Sequence, residues 1–259
     1  MNTRELPEFL KAYEADLKAY ERTYIRIQAQ PRKEQLFQDP LAITSSKFLG
    51  KPFFPKDRAY PKDKKGNPMV MIAQLNFSEI PKLSPFPEDG ILQLFLSVTD
   101  WYEEDAAVIY HTAEDMLQEA RSDFSFFSED DLEELPVFNL HQLSFEKAID
   151  YGGMEDVQFD YRFAEQNFWD FLDRLTEEQE ALMYAYFDAS GHKIGGYAEF
   201  TQEDPRGFDM HQLDDVQLLQ IDTDDHIMFG DSGLGHLFIP KEDLLQKDFS
   251  KAYFSWDCC

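Results

Sequence analysis

One spacing occurs twice in this chain, and it constrains the fold more than anything else in the sequence. Lys47-Phe-Leu-Gly50 and Lys193-Ile-Gly-Gly196 each end on a glycine, followed four residues later by a phenylalanine (Phe54, Phe200). Twenty-four residues after each glycine comes a glutamine inside an apolar run, Gln74 in Ile72-Ala-Gln74-Leu-Asn76 and Gln220 in Leu218-Leu-Gln220-Ile-Asp222. Further on, Gly90 and Gly235 each open another apolar run, Gly90-Ile-Leu92-Gln-Leu-Phe95 and Gly235-His-Leu237-Phe238-Ile239. Only six positions are identical between 47–77 and 193–223, so the likeness is one of residue kind and interval. A glutamine amide within an apolar strand is costly unless both its ends are hydrogen-bonded. Finding it twice at one offset argues for a single structural solution used twice, with Gln74 and Gln220 satisfying loop backbone. The expectation is an α+β fold built from two diverged β-rich repeats with antiparallel sheet.

The intervening pattern fills in the rest. Leu6, Phe9, Leu10, Tyr13, Leu17, Tyr20, Tyr24 and Ile27 fall at three- and four-residue steps, predicting an N-terminal amphipathic helix of about six turns over 1–30. The first β-rich repeat is placed at 31–99, where Pro31, Pro40, Pro52, Pro55, Pro61 and Pro68 exclude a long helix. Its strands are expected at 70–77 and 91–98. Residues 100–190 turn acidic, and Thr112-x-x-Asp115, Ser128-x-x-Asp131 and Thr176-x-x-Gln179 suit helix starts. That block is predicted to be a largely helical, acidic connection, with an aromatic helix over 167–175. The second repeat, 191–259, should carry strands at 216–221 and 234–239 and a helix starting near Lys241. The whole is expected to form one compact unit.

The chain has 51 acidic and 24 basic residues among 259, a formal charge of −27. Such a field repels phosphate backbones and anionic lipid, so neither nucleic acid nor membrane is an expected partner. The one basic run, at 56–65, ends in Lys-Gly-Asn-Pro and reads as a solvated turn. No stretch approaches the length of a bilayer span, no leader-like start is seen, and the cysteines are Cys258 and Cys259 alone, offering no disulfide framework. A cytoplasmic monomer is expected.

The residues in hand resemble the YwqG-like family of uncharacterised bacterial proteins. The resemblance is carried by Ser46-Lys-Phe-Leu-Gly-Lys-Pro52, by Ala-Gln-Leu-Asn-Phe running on to Ile80-Pro81, and by Gly90-Ile-Leu-Gln-Leu-Phe95. In the second half it rests on Ile194-Gly-Gly-Tyr197, Gln202-Glu-Asp-Pro-Arg206, Leu219-Gln-Ile-Asp222 and Phe229-Gly-Asp-Ser-Gly233, and lastly on Asp243-Leu and Asp248-Phe. The repeat layout is distantly similar to eukaryotic adaptors that escort a basic ribosomal protein, and some bacterial relatives look like toxin-immunity proteins. The resemblance therefore implies protein binding and carries no established activity.

Reactive arrangements do not assemble. Gly230-Asp-Ser-Gly233 has the look of a protease nucleophile, but Leu234 follows and no partner-histidine motif precedes it, so it reads as a tight turn into a strand. Asp222, Asp224 and Asp225 are weak metal candidates; a calcium loop would require a glycine where Ile227 stands. No pair of the six histidines sits four apart, and no phosphate-cradling loop follows Gly152-Gly153 or Gly195-Gly196. No catalytic residue, metal or cofactor is assigned. The expected function is a non-enzymatic protein-binding module using acidic surface against a basic protein. The rival expectation is a small-molecule- or metal-binding enzyme with its site in the cleft between the repeats.

Overall fold

A computed structural model of the chain describes residues 4–33, 38–128, 132 and 134–258. Ten strands form one antiparallel sheet: β1 (Arg22–Pro31), β2 (Lys47–Phe48), β3 (Val70–Asn76), β4 (Ile91–Leu96), β5 (Ala106–His111), β6 (His141–Asp150), β7 (Lys193–Gly195), β8 (Val216–Ile221), β9 (Leu234–Ile239) and β10 (Tyr253–Asp257). Their spatial order is β10-β9-β8-β7-β1-β6-β2-β3-β4-β5. The two longest strands, β1 and β6, pair along their whole length at the centre, from Arg22 opposite Asp150 to Pro31 opposite His141. A wing of four strands extends from each side. The wings cross over: β2 pairs with β6, and β7 pairs with β1.

The sheet curls until its edges meet. Trp256 of β10 donates its indole N–H to Tyr102 O at 3.2 Å and stacks beside Trp101, while Tyr110 of β5 lies on Phe249 at 4.5 Å. Closing the sheet this way encloses one apolar core, in which Ile25 and Ile27 of β1 meet Ile72, Leu94, Leu218, Leu237, Phe229 and Phe254 from both wings. Strands β3, β4 and β9 are buried at every position because their outer faces are covered too. Phe54 packs there on Met71 and Phe95, and Phe200 packs on Phe238. This is why these strands read as continuous apolar runs. A second, aromatic core lies outside the sheet, where the N-terminal turns meet α2 (Phe168–Leu172) and α3 (Glu177–Phe187) around Phe159, Phe163 and Phe187.

The anchors read from the sequence have a clear job. Gln74 Oε1 accepts from Phe53 N–H at 2.8 Å and its amide donates to Ile43 O and Ser45 O. Gln220 Oε1 accepts from Glu199 N–H at 2.9 Å and its amide donates to Ala189 O and Gly191 O. Each partner is displaced along the chain by the same interval as the two glutamines. The lysine and glycine follow suit. Lys47 Nζ sits 2.8 Å from Asp39 Oδ2, which also accepts from Lys51 N–H; Lys193 Nζ sits 3.1 Å from Asp150 Oδ2, which also accepts from Tyr197 N–H. Gly50 and Gly196 leave room for those carboxylates. A β-carbon would fall 2.7 Å from Asp39 Oδ2 in one case and 2.1 Å from Asp150 Oδ2 in the other, and both glycines hold positive φ. Strands β3 and β8 are also bulged at matching points, Met71/Ala73 and Gln217/Leu219.

Several expectations need correction. The six-turn helix ends at Tyr20 as short 3₁₀ turns around α1 (Glu14–Leu17), and Tyr24 and Ile27 belong to β1. From Arg22 onward Thr, Tyr and Ile favour an extended chain, and their spacing happens to continue the helical stripe. The 100–190 block is not a helical connection, since β5 and the central β6 lie in it. In β6 the buried positions change parity, from His141 and Leu143 to Ala148 and Asp150 past the exposed Glu146 and Lys147, so no simple two-residue period marked the strand. Thr112 and Asp115 exchange side-chain-to-backbone bonds (Asp115 N–H to Thr112 Oγ1, Thr112 N–H to Asp115 Oδ2), but only a three-residue turn, Asp115–Leu117, follows, whereas Thr176 makes a full capping box on α3. Asp131 lies outside the described residues. The strands at 70–77, 91–98, 216–221 and 234–239 fall as expected to within two residues, and α4 (Lys241–Gln246) starts at Lys241.

Two substitutions test the anchors by urea unfolding. Gln220→Leu, which keeps the volume and strands three backbone groups, should lower stability by on the order of 3 kcal/mol. Gly196→Ala should cost about 2–4 kcal/mol through its left-handed backbone and the displaced Asp150. A loss under 0.5 kcal/mol, within the range of ordinary surface changes of about that size, would rule out the anchoring role.

Candidate functional site

A cleft of about 670 Å³ opens beside the start of β1. Its floor is Gly195, Gly196, Val216 and Gln217, where β7 and β8 begin to diverge. One wall is Arg22 and Thr23 with residues 157–160, and another is the 83–86 segment, which leads from β3 into β4 of the opposite wing. Leu213, Asp214 and Lys241 complete the rim. The cleft therefore lies where the two wings come together on β1.

Much of its polar lining is committed to the scaffold. Arg22 donates to Gln158 Oε1 at 2.9 Å and lies 3.9 Å above the Tyr197 ring. Gln158 in turn donates to Leu213 O and Asp215 O. Gln217 donates to Gly195 O and its Oε1 faces His236 Nδ1 at 3.3 Å. The 205–215 loop is tied down by Arg206, which is 1% exposed and pairs with Asp204 and Asp156 at 2.6 and 3.0 Å. Burial works against that charge, but the two carboxylates outweigh it and hold the guanidinium above its ordinary range. Pinned at its base, the loop presents Phe208 and Met210 at 76% and 84% exposure, next to Leu213 on the rim. Apolar side chains this exposed are suited to a contact surface.

The corresponding place in the other wing is full. Gly50, Val70 and Met71 occupy the intervals of Gly196, Val216 and Gln217, and Phe124 and Phe127 lie against them with Tyr60, leaving about 10 Å³. The segment that delivers these rings is held at both ends. Near its start Pro55 pairs with Ala120, Arg121 N–H donates to Phe54 O, and Lys56 N–H donates to Glu119 O. Near its end Val137 pairs with Ile227, with Phe138 N–H on His226 O and Met228 N–H on Pro136 O.

Other sequence candidates lie elsewhere. Gly50, Gln74, Gly90, Gly196, Gln220 and Gly235 are buried or packed as structural anchors. Gly90 abuts the Tyr110 hydroxyl and His111 O, and Gly235 abuts the Phe229 ring. Of these, Gly196 alone reaches the cleft. Asp222 accepts from Gly191 N–H and Thr223 N–H, and Asp224 from His226 N–H and the His192 ring, so both carboxylates close turns. Those bonds hold Asp224 down to about 2 against the upward push of burial. Among the described residues no group of three or more His, Cys, Asp or Glu is placed to hold a metal ion. Gly230-Asp-Ser-Gly233 is a tight turn, closed by Gly233 N–H on Phe229 O and packed under Asp257. His141, His192 and His226 gather around Phe48 and Asp224, with His141 fully buried and driven below its usual range by that burial. No helix among the described residues is long and apolar enough to cross a membrane.

The sequence suggests a cleft between the repeats in general terms but names no lining residue for it. Arg22, Gln158, Asp214 and Lys241 share no spacing, and the one available signal was the Pro81, Pro85 and Pro87 run that shapes the 83–86 wall.

Fold and site together define an antiparallel α+β protein with an open cleft beside the central strand of its curled sheet. The chain belongs to the family described as Domain of unknown function (DUF1963), whose model matches residues 46–258. No curated protein matches the chain at a significant level.

One titration follows from a carboxyl beside the Gln220 anchor, that of Glu199, whose own backbone N–H donates to Gln220 Oε1. Burial raises the Glu199 carboxyl to about 7, aided by Asp188 and opposed by the Ala189 N–H. The native state thus binds the proton more tightly than the unfolded state. Stability from this group is full below the ordinary value of 4.5 and is lost as pH rises through 7. Glu199→Gln should therefore stabilise the protein at pH 8 and leave it unchanged at pH 4 in paired urea unfolding curves. Equal effects at both pH values would refute the assignment.

Proposed function

We propose that this protein is a non-enzymatic binding module of the escort or immunity type, acting as a cytoplasmic monomer on a basic protein partner. The observation that carries this reading is the cleft, in whose lining Arg22, Gln158 and Gln217 are spent on the scaffold while Phe208, Met210 and Leu213 stand exposed on the adjoining loop. A formal charge of −27 adds steering toward a basic surface and disfavours nucleic acid and membrane. The YwqG-like resemblance and its likeness to ribosomal-protein escorts point the same way. We also read the two wings as diverged copies of one unit, supported by the shared glutamine, lysine and glycine anchors and the matching bulges.

A second reading, a small-molecule enzyme acting in the same cleft, draws on one specific feature. A volume of about 670 Å³ suits a metabolite-sized ligand, and Asp160, Asp214 and Lys241 bring charge to it. The binding reading is preferred because the neighbouring apolar loop extends the surface beyond what a small molecule would cover.

Immobilised full-length protein should retain basic proteins from lysate at low salt and release them at high salt, with an on-rate that falls steeply as salt rises. If no basic protein is held at low salt, the proposal fails.

A further inference from the structure

The two wings treat the same place in opposite ways. At Gly50, Val70 and Met71 the chain covers the floor with its own Phe124 and Phe127, and at Gly196, Val216 and Gln217 the floor is open. The fold thus displays the kind of occupant such a floor accepts: a segment pinned by short backbone pairings to either side, whose Phe124 and Phe127 stand at the two ends of a turn closed by Phe127 N–H on Phe124 O at 3.2 Å. The open copy keeps the matching features. Its floor has a left-handed turn at the same interval, at Gly195 and Gly196, and Leu83 and Phe86 pack close over its Gly195 end, where a β-carbon would sit 3.2 Å from Leu83 Cδ2 and 3.5 Å from the Phe86 ring. Leu83, Phe86, Val157 and Val216 provide apolar surface for rings.

We infer that the open cleft binds a turn of a partner protein carrying two aromatic side chains at positions i and i+3, flanked by basic residues. The aromatic spacing is taken from Phe124 and Phe127. The basic flanks follow from the −27 charge, which opposes an acidic segment arriving from outside even though the internal one, tethered in the same chain, contains acids. This inference rests on the binding reading above and names its site and ligand chemistry.

The probe is a labelled synthetic peptide of residues 121–128 with Asp123→Lys, titrated into the full-length protein by fluorescence anisotropy. Saturable binding is expected, weakened about tenfold or more when Phe124→Ala or Phe127→Ala removes a ring. Thr23→Trp and Asp214→Trp, exposed positions on opposite sides of the cleft, should each weaken it to a similar degree. Two variants are used so that a folding defect in one leaves the test intact, with circular dichroism checking both. The inference is overturned if the peptide does not bind, or if it binds folded tryptophan variants as it binds the parent. Retention of basic proteins that survives both tryptophan substitutions would sink the cleft assignment and leave the acidic-surface reading standing. Peptide binding without any retention of basic proteins would do the reverse.

Discussion

Two lysines carried into the interior set the terms for everything around them. The Lys47 side chain is fully enclosed and that of Lys193 is 1% exposed, and an ammonium so placed is tolerable only beside a carboxylate whose other valences are filled. Asp39 and Asp150 meet that demand by also taking the N–H of Lys51 and Tyr197. Burial nonetheless lowers Lys47 and raises Asp150 from their ordinary ranges, so each pair holds its charge under tension. Because a β-carbon would strike the carboxylate, the turn beside it must be glycine, and because that turn is left-handed, the chain leaves the sheet sharply. The loops that leave there are the ones Gln74 and Gln220 hold by their backbones. Lysine, glycine and glutamine are thus three parts of one device.

That device was legible from the sequence because its parts recur at fixed intervals, and an interval survives where identity does not. The role of the glutamines followed from the cost of an unpaired buried amide alone. The aspartates that complete the device were not legible: Asp39 lies before β2, whereas Asp150 comes from the end of β6, so no common spacing links them. The same reasoning failed for β1 and β6. At 22–27 a strand stripe and a helix stripe coincide, and in β6 the buried positions shift parity between Leu143 and Ala148, so no single alternation runs through it. The residues that line the cleft eluded the sequence for a related reason. They come from six separated stretches brought together by the crossing of the wings, and that crossing is a property of topology.

Filling one groove and leaving its counterpart open gives a nearly symmetrical sheet two different faces. On one, Tyr60, Phe124 and Phe127 form part of the outer covering of β3 and β4. On the other, Arg206 fixes a loop whose apolar tips remain in water. Holding that loop with a buried ion cluster, instead of an apolar plug, keeps the groove accessible while its rim stays in place.

The exchange of partners between the wings has a consequence for how the chain comes off the ribosome. Among the described residues the longest early strand, β1, pairs with β6 and β7, and neither lies in the first 140 residues. At roughly 5–20 residues per second, β1 must wait on the order of ten to thirty seconds, from its own emergence until β7 is made, before both of its edges are covered. During that interval Tyr24, Ile25 and Ile27 stand unsheltered, and the first 100 residues, with 15 basic and 13 acidic side chains, carry too little net charge to keep such strands apart.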